Sequence, residues 1–147
     1  MIAPRLVRLI EDHSEELARS LVHKLKHCER TPDLVRVPTI ELHDRCHEVY
    51  RHLSEWLVSK PEHDIETLYR KIGGRRADQG VSLASVTWAL ILTKEHLWEF
   101  LEREDVLRTS VDVFGELELL RLLDQFFDRA LYHTTEGYVE RTMTQAA

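Results

Sequence analysis

The hydrophobic and polar positions along the chain follow a helical pattern, because apolar residues recur every three or four positions. No stretch alternates in the way that a half-buried strand would. Asp12 followed by Glu15 is a capping pair, which indicates a break near His13 within the first helical segment. We therefore predict an all-α fold, a bundle of about five to six helices. The helical segments cover about residues 4–28, 39–59, 64–79, 82–103 and 112–143.

Residues with special backbone preferences mark the ends of these segments. Thr39 and Ser82 are expected N-caps of the second and fourth segments, and Gly80 is expected to end the third. Gly73 and Gly74 lie inside the third segment, where each costs about 1 kcal/mol relative to alanine. Such a pair indicates that another helix or a ligand approaches closely. The fifth segment is about 45 Å long at 1.5 Å per residue, so its C-terminal end has the length to project.

Length and composition favour one domain over residues 1–147. Hydrophobic residues make up 43% of the chain and charged residues 31%, whereas glycines number 5 and prolines 4. The formal net charge of −6 argues against a non-specific nucleic-acid binder, which needs a basic surface. The sequence shows neither a signal peptide nor a membrane span, and 2 cysteines cannot form a disulfide framework. We therefore expect a cytoplasmic protein that binds neither nucleic acid nor membranes.

The chain has 9 histidines, and some of them lie near cysteines at helical spacing. Zinc accepts such ligands in a tetrahedral set. One alternative is therefore a zinc-stabilised bundle with the ligands His23, His27, His43 and Cys46. We favour surface histidines, core cysteines and no metal, since Cys46 lies on an apolar stripe and structural zinc sites usually use tighter Cys-x2-Cys loops. Two further histidines show no acidic or hydroxyl partner at motif spacing, His96 and His133.

Motifs of known enzyme classes are missing from the sequence. It has no Gly-rich phosphate loop, no H-E-x-x-H and no G-x-S-x-G. Its acidic residues are expected on solvent faces, not in a dry site that would separate the pKa values of paired carboxylates. We therefore expect no catalytic residue and no enzymatic activity. A basic cluster at Arg70, Lys71, Arg75 and Arg76 could meet a phosphate or an acidic partner, but we interpret Arg70, Lys71 and Arg75 as an ordinary solvated helix face.

Two stretches of the chain resemble a known family. Residues 68–101, LYRKIGGRRADQGVSLASVTWALILTKEHLWEFL, resemble the central region of the N-terminal domain of RsbR-type stressosome co-antagonist proteins. Residues 123–138, LDQFFDRALYHTTEGY, are similar to the last helix of that module and of related N-terminal domains on bacterial histidine kinases. The resemblance implies a globin-like sensor module without haem.

A second resemblance concerns the haem ligand itself. Haem-binding globin-coupled sensors carry a motif like I-G-x-x-H-x-x-x-G-[LV], and residues 72–81 read IGGRRADQGV. Arg76 takes the place of the histidine that ligates iron, and a guanidinium has no lone pair to give. The resemblance therefore implies that no cofactor is bound. The alternative is a haem-binding domain that uses another ligand, such as His96.

The resemblance implies an input domain of a bacterial stress or two-component pathway. Such a domain forms a homodimer, and its last helix passes a rearrangement to an output domain or partner protein. Three residues of that helix are expected to divide between core and dimer interface, namely Leu119, Phe126 and Tyr138. A pocket at the haem position would be lined by Ile72, Arg76, Trp88, Ile91 and Leu92. With one arginine such a pocket suits a lipid or a small carboxylate, and the alternative is a filled core.

Overall fold

The computed structural model describes residues 4–104 and 110–146. Six α-helices occur in these ranges: α1 (Pro4–Asp12), α2 (Ser14–Lys26), α3 (Thr39–Arg51), α4 (Glu62–Asp78), α5 (Leu83–Arg103) and α6 (Ser110–Ala146). No strand occurs in the described residues, which confirms the predicted all-α fold. Residues 1–3, 105–109 and 147 of the predicted single domain lie outside the described ranges. None of the described helices is long and apolar enough to cross a membrane.

Most helix ends follow the local signals in the sequence. A break at His13 separates α1 from α2, as the capping pair predicted. Gly80, with a φ of 73°, ends α4 in the left-handed conformation that glycine adopts without strain. The backbone N–H of Ser85 donates to Oγ of Ser82 at 3.2 Å, so Ser82 is the N-cap of α5. Each of these signals depends on residues within about one helical turn, so the helix ends can be predicted from the sequence without the tertiary structure.

The second predicted segment differs from the structure at both ends. Thr39 is the first residue of α3, and Pro38 takes the N-cap position instead. The α-helix ends at Arg51, not near residue 59, and a π-helical turn follows at 55–59. In that turn the N–H of Lys60 donates to the carbonyl of Glu55 at 2.7 Å, a spacing of five residues.

One hydrophobic cluster joins all six α-helices. It includes Leu6 of α1, Leu21 of α2, Leu42 of α3 and Leu97 of α5, all of them buried. The buried hydroxyl of Tyr50 has a hydrogen-bond partner within the cluster, since it donates to the carbonyl of Thr93 at 3.0 Å. An aromatic group with ring centroids 5.2–6.2 Å apart fills one end of the core, at Trp56, Tyr69, Phe126 and Phe127.

The helices α4 and α6 lie side by side and run in the same direction. Ion pairs join Glu62 to Arg129 near the start of α4 and Asp78 to Arg141 near its end. The close approach that the glycine pair predicted is the crossing of α6, since a Cβ on Gly73 would collide with the backbone of Thr134. The end of α6 stays beside α4 as far as Gln145, whose Nε2 donates to Oδ1 of Asp78 at 2.8 Å. The projection of this helix toward an output domain stays a prediction.

Candidate functional site

An apolar cavity of about 80 Å³ lies at the centre of the bundle. Side chains of α2, α3, α4, α5 and α6 line it, and leucine, valine and isoleucine make up much of its wall. Polar side chains reach it from four helices, α3 to α6, at Arg45, Cys46, Glu48, Arg76, Thr93 and Thr134. A mostly apolar hollow with a few converging polar groups is the usual form of a small-molecule site.

Two of the five residues predicted to line a pocket lie in this wall. Ile72 and Arg76, one turn apart on α4, both face the cavity. The predicted residues of α5 are not among its lining residues, namely Trp88, Ile91 and Leu92. The helix turns another face inward, with Val86, Ala89, Leu90 and Thr93. Apolar residues surround α5 on several sides, so the sequence alone did not define which face meets the cavity.

Arg76 is buried, and a polar cluster from α3 and α4 holds its guanidinium. Its Nη1 donates to Oε1 of Glu41 at 3.0 Å and to Oε1 of Gln79 at 2.8 Å. Nε2 of Gln79 donates to Oε2 of Glu41 at 2.8 Å, and Nε of Arg75 donates to Oε1 at 2.9 Å. We call Glu41, Arg75, Arg76 and Gln79 the Arg76 cluster. Each member of the cluster is hydrogen-bonded to at least one other member, and a buried charge requires such partners.

The charge on Arg76 is therefore already compensated within the chain. The hydrogen bond from Arg75, followed by those from Gln79 and Arg76, outweighs burial and lowers the pKa of Glu41 to about 2. Glu41 is thus a carboxylate at neutral pH. A ligand carboxylate would have to displace it, so Arg76 offers less support for such a ligand than the sequence suggested. The sequence indicated Glu41 only as an acidic residue in a first helical turn, with no sign of its partner 35 residues away.

Two further polar groups at the cavity are not charged. Burial raises the pKa of the Cys46 thiol to about 12, so it stays protonated and behaves as a small apolar group. The hydroxyl of Thr134 is buried and has no hydrogen-bond partner among the residues that the structure describes. A buried hydroxyl without a partner costs about 1–3 kcal/mol. The Thr134 hydroxyl is therefore free to bond a polar atom of a molecule in the cavity.

The structure does not bring the four proposed zinc ligands together. His27 bonds the carbonyl of His23 at 2.8 Å, whereas His43 lies 3.0 Å from Glu15. Cys46 points into the cavity lining instead. Among the described residues, a different set has three ligand atoms in metal-binding proximity, and it comprises Glu66, His133 and Glu136.

The two histidines that lacked a partner at motif spacing are both buried, and each has at least one ring nitrogen in contact with a polar side chain. Nδ1 of His96 lies 2.8 Å from Nζ of Lys24, and burial lowers the pKa of His96 to about 4. His96 does not line the cavity. The expectation for His133 was wrong, because Glu136 follows three residues later on the same face of α6, and Nδ1 of His133 lies 3.1 Å from its Oε1.

The residues predicted to divide between core and interface lie on the inner side of α6. Leu119 and Phe126 are buried within the chain. Tyr138 is half-buried, and its hydroxyl donates to the carbonyl of Val81 at 2.6 Å. Another side of α6 carries exposed apolar residues, which we call the outer stripe: Phe114, Leu117, Tyr132, Val139 and Met143. Their spacings of 3, 15, 7 and 4 residues are each close to whole helical turns.

The last turn of α4 connects the cavity wall to the end of α6. Gln79 belongs to the Arg76 cluster, and its neighbour Asp78 accepts two hydrogen bonds from Arg141, from Nε at 2.8 Å and from Nη2 at 2.7 Å. A change in the Arg76 cluster therefore acts on residues next to those that hold the end of α6.

Comparison with known proteins agrees with a regulatory domain of helical architecture. The family model described as the RsbT co-antagonist protein rsbRD N-terminal domain matches residues 14–147. The chain therefore belongs to this family, which confirms the resemblance found in the sequence. It is an input domain of stressosome-type signal transduction. Among the curated proteins and the solved structures, none matches the chain.

Proposed function

We propose that the chain is a non-haem, globin-like input domain that acts as a cytoplasmic homodimer without enzymatic activity. It receives a signal at the central cavity and passes it through α6 to an output domain or partner protein of a bacterial stress or two-component pathway. The observation that carries the proposal is the Arg76 cluster, which takes the place of an iron ligand and adjoins both the cavity and the end of α6. Because the family is described as a domain of RsbT co-antagonist proteins, an RsbT-like protein is the partner that we propose.

Two features favour a domain that works without haem. Arg76 has no lone pair for iron, and Glu41 and Gln79 hold its guanidinium in place. The cavity of about 80 Å³ is far smaller than the roughly 300–1,000 Å³ of ordinary ligand pockets. The alternative haem ligand, His96, lies outside the cavity wall and contacts Lys24.

The cavity suits a small, mainly apolar molecule with one hydrogen-bonding group. Its wall is largely apolar, and the unpaired hydroxyl of Thr134 supplies one polar contact. Arg76 is less suited to bind a carboxylate, because Glu41 already neutralises it. Such a molecule would press on the α4 wall and shift the Arg76 cluster relative to Asp78.

The outer stripe of α6 is the surface that we assign to the homodimer. Five exposed apolar residues lie on one side of the helix, at 114–117 and again at 132–143, and the residues on that side between these two groups are polar, namely Arg121, Gln125 and Asp128. Two copies related by a two-fold axis would each bury the same stripe. A dimer of this kind places the signalling helix of each copy against its partner, where a small shift changes the interface.

Light scattering on the purified chain tests the dimer. We expect the mass of two chains for the wild type and of one chain for Leu117→Glu, because a charge would enter the apolar contact. Val58→Glu is the matched control, since Val58 is exposed to a similar degree away from α6 and should leave the dimer intact. A monomeric wild type, or equal effects of the two variants, would contradict the assignment.

Visible absorption tests the non-haem part of the proposal. Addition of haem to the purified protein should give no saturable Soret band at one haem per chain. A sharp saturable band would contradict the proposal, and His96→Ala would then show whether that histidine ligates iron.

A further inference from the structure

A second polar cluster lies between α4 and α6, apart from the cavity and from the Arg76 cluster. Its centre is His133, whose ring is almost fully buried. Nε2 of His133 lies 3.0 Å from Oε1 of Glu62. Nδ1 lies 3.1 Å from Oε1 of Glu136 and 3.8 Å from Oε2 of Glu66. Carboxylates from two helices therefore meet both nitrogens of one imidazole.

We propose that Glu66, His133 and Glu136 form a binding site for a divalent transition-metal ion of the zinc type. Their ligand atoms, one nitrogen and two oxygens, all lie within 4.8 Å of one another. Zinc binds such atoms at about 2.0–2.2 Å in a tetrahedron, which separates neighbouring ligands by roughly 3.4 Å. Small rotations of the two half-exposed carboxylates bring them to that spacing. Water takes the fourth position.

Glu62 prepares the imidazole for this role. Its Oε1 lies 3.0 Å from Nε2 of His133 and would accept an N–H from that nitrogen in the metal-bound state, which leaves Nδ1, the nitrogen that faces Glu66 and Glu136, as the metal ligand once its proton is released. Metal-binding histidines almost always donate their second ring N–H to a carboxylate or carbonyl in this way. Arg129 holds Glu62 in turn, with Nε 2.8 Å from Oε2.

The charge balance around His133 favours a divalent cation. Glu66 has His133 as its ion-pair partner, and no lysine or arginine pairs with it among the described residues. With His133 neutral, the carboxylates outnumber the guanidinium groups by two in the set of Glu62, Glu66, Glu136, Glu140, Arg70 and Arg129. A bound metal would supply the missing charge and would link α4 to α6 beside their crossing.

Arg70 opposes metal binding, so its replacement should change the zinc affinity in the opposite sense to the replacement of a ligand. Its Nη1 lies 3.0 Å from Oε1 of Glu136, the same oxygen that faces His133. Arg70→Gln should release that oxygen and remove a positive charge, and it should therefore tighten zinc binding. Glu66→Gln should weaken it. Electrostatics alone gives these two directions for any cation bound nearby, so it is the size of the Glu66→Gln loss that distinguishes a direct ligand from a distant charge.

The test is a calorimetric titration of the chelator-treated protein with Zn²⁺ at pH 7.5. Other histidine pairs on the surface have adjacent rings, so the titration uses a His27→Gln, His47→Gln background, in which neither pair is complete. We expect one zinc per chain in this background. Glu66→Gln should weaken binding at least tenfold, Glu62→Gln about 10–100-fold, and Arg70→Gln should tighten it severalfold.

Clear outcomes overturn the inference, which does not depend on the proposed function. Absence of zinc binding in the background, or an unchanged affinity in both Glu66→Gln and Arg70→Gln, would overturn it. Equal binding of Mg²⁺ would do so too, because magnesium prefers oxygen ligands and would not need the imidazole. Glu66 is partly exposed, and within the described part of the chain it has no other ion pair that would be lost, so circular dichroism should show Glu66→Gln folded as the wild type.

Discussion

Gly73 on α4 and Gly137 on α6 lie at one crossing where the two helix backbones touch with no side chain between them. A Cβ on Gly73 would overlap the carbonyl oxygen of Thr134, and one on Gly137 would overlap the carbonyl oxygen of Arg70. Backbone atoms cannot move aside as the end of a flexible side chain can, so both positions require glycine. The crossing thereby determines how closely α6 follows α4, between the cavity at one side and the His133 cluster at another.

Alanine at either glycine of the crossing should destabilise the fold. We expect Gly73→Ala and Gly137→Ala each to lower the free energy of unfolding by at least about 2 kcal/mol, because the helices must separate to admit a methyl group. Urea unfolding followed by circular dichroism measures the loss.

Gly74→Ala is the matched control for this prediction. A Cβ on Gly74 would meet its nearest atom, the carbonyl oxygen of Gly137, at 3.8 Å, which is an ordinary contact. Alanine has a higher helix propensity than glycine, so the free energy of unfolding of this variant should rise by up to about 1 kcal/mol. Equal decreases in the free energy of unfolding for Gly73→Ala and Gly74→Ala would contradict the close backbone contact at Gly73.

The sequence predicted features that depend on neighbours in the chain. Ser82 caps α5, Gly80 ends α4 and His13 separates two helices, and each of these signals acts within about one turn. The glycine pair in α4 predicted a close approach. It did not identify α6 as the approaching element or Gly73 as the glycine in contact, because both depend on packing across the bundle.

The candidate site was harder to predict from the sequence than the helix ends, because its contacts join distant parts of the chain. Ile72 and Arg76 followed from a family resemblance, whereas Glu41 lies 35 residues from Arg76 and carries no motif. On α6, apolar residues occur on several sides. Leu119 in the core and Leu117 on the surface are therefore equivalent by composition, and only the position of the other helices distinguishes them.

Thr134→Val should stabilise the protein. The hydroxyl of Thr134 is buried and unpaired within residues 4–104 and 110–146, so an isosteric methyl group removes a desolvation cost of about 1–3 kcal/mol. Thr93→Val is the comparison, because that hydroxyl also lies at the cavity but donates to the carbonyl of Ala89 at 2.7 Å. Chemical denaturation should show a gain for Thr134→Val and a loss or no change for Thr93→Val. The reverse order would mean that the Thr134 hydroxyl is satisfied in solution.

Removal of Glu41 should leave a buried positive charge uncompensated. We expect Glu41→Gln to cost about 2–3 kcal/mol of unfolding free energy, somewhat less than a fully buried pair because Glu41 is partly exposed. Arg76→Met in the Glu41→Gln background should recover part of this loss, which a double-mutant cycle measures. Arg75→Gln, at an exposed arginine, should cost less than about 1 kcal/mol. Strictly additive effects of Glu41→Gln and Arg76→Met would contradict the coupling.

Acid should remove the same stabilisation over a defined range of pH. The pKa of Glu41 lies near 2 in the folded chain, below its ordinary value of 4.5, so the unfolded state binds the proton more readily. The contribution of Glu41 is therefore complete above about pH 4.5 and is lost as the pH falls toward 2. A difference of about 2.5 pH units corresponds to about 3 kcal/mol, which partial exposure reduces to about 2.

The measurement is the stability difference between the wild type and Glu41→Gln, from urea unfolding at pH 7 and at pH 3. Other carboxylates titrate in both proteins and cancel in the difference, whereas glutamine at position 41 does not titrate at all. We expect the wild type to be the more stable at pH 7 and the difference to shrink by pH 3. A difference that stayed constant would mean that the Arg76 cluster depends on the shape of the residue at position 41, and not on its charge.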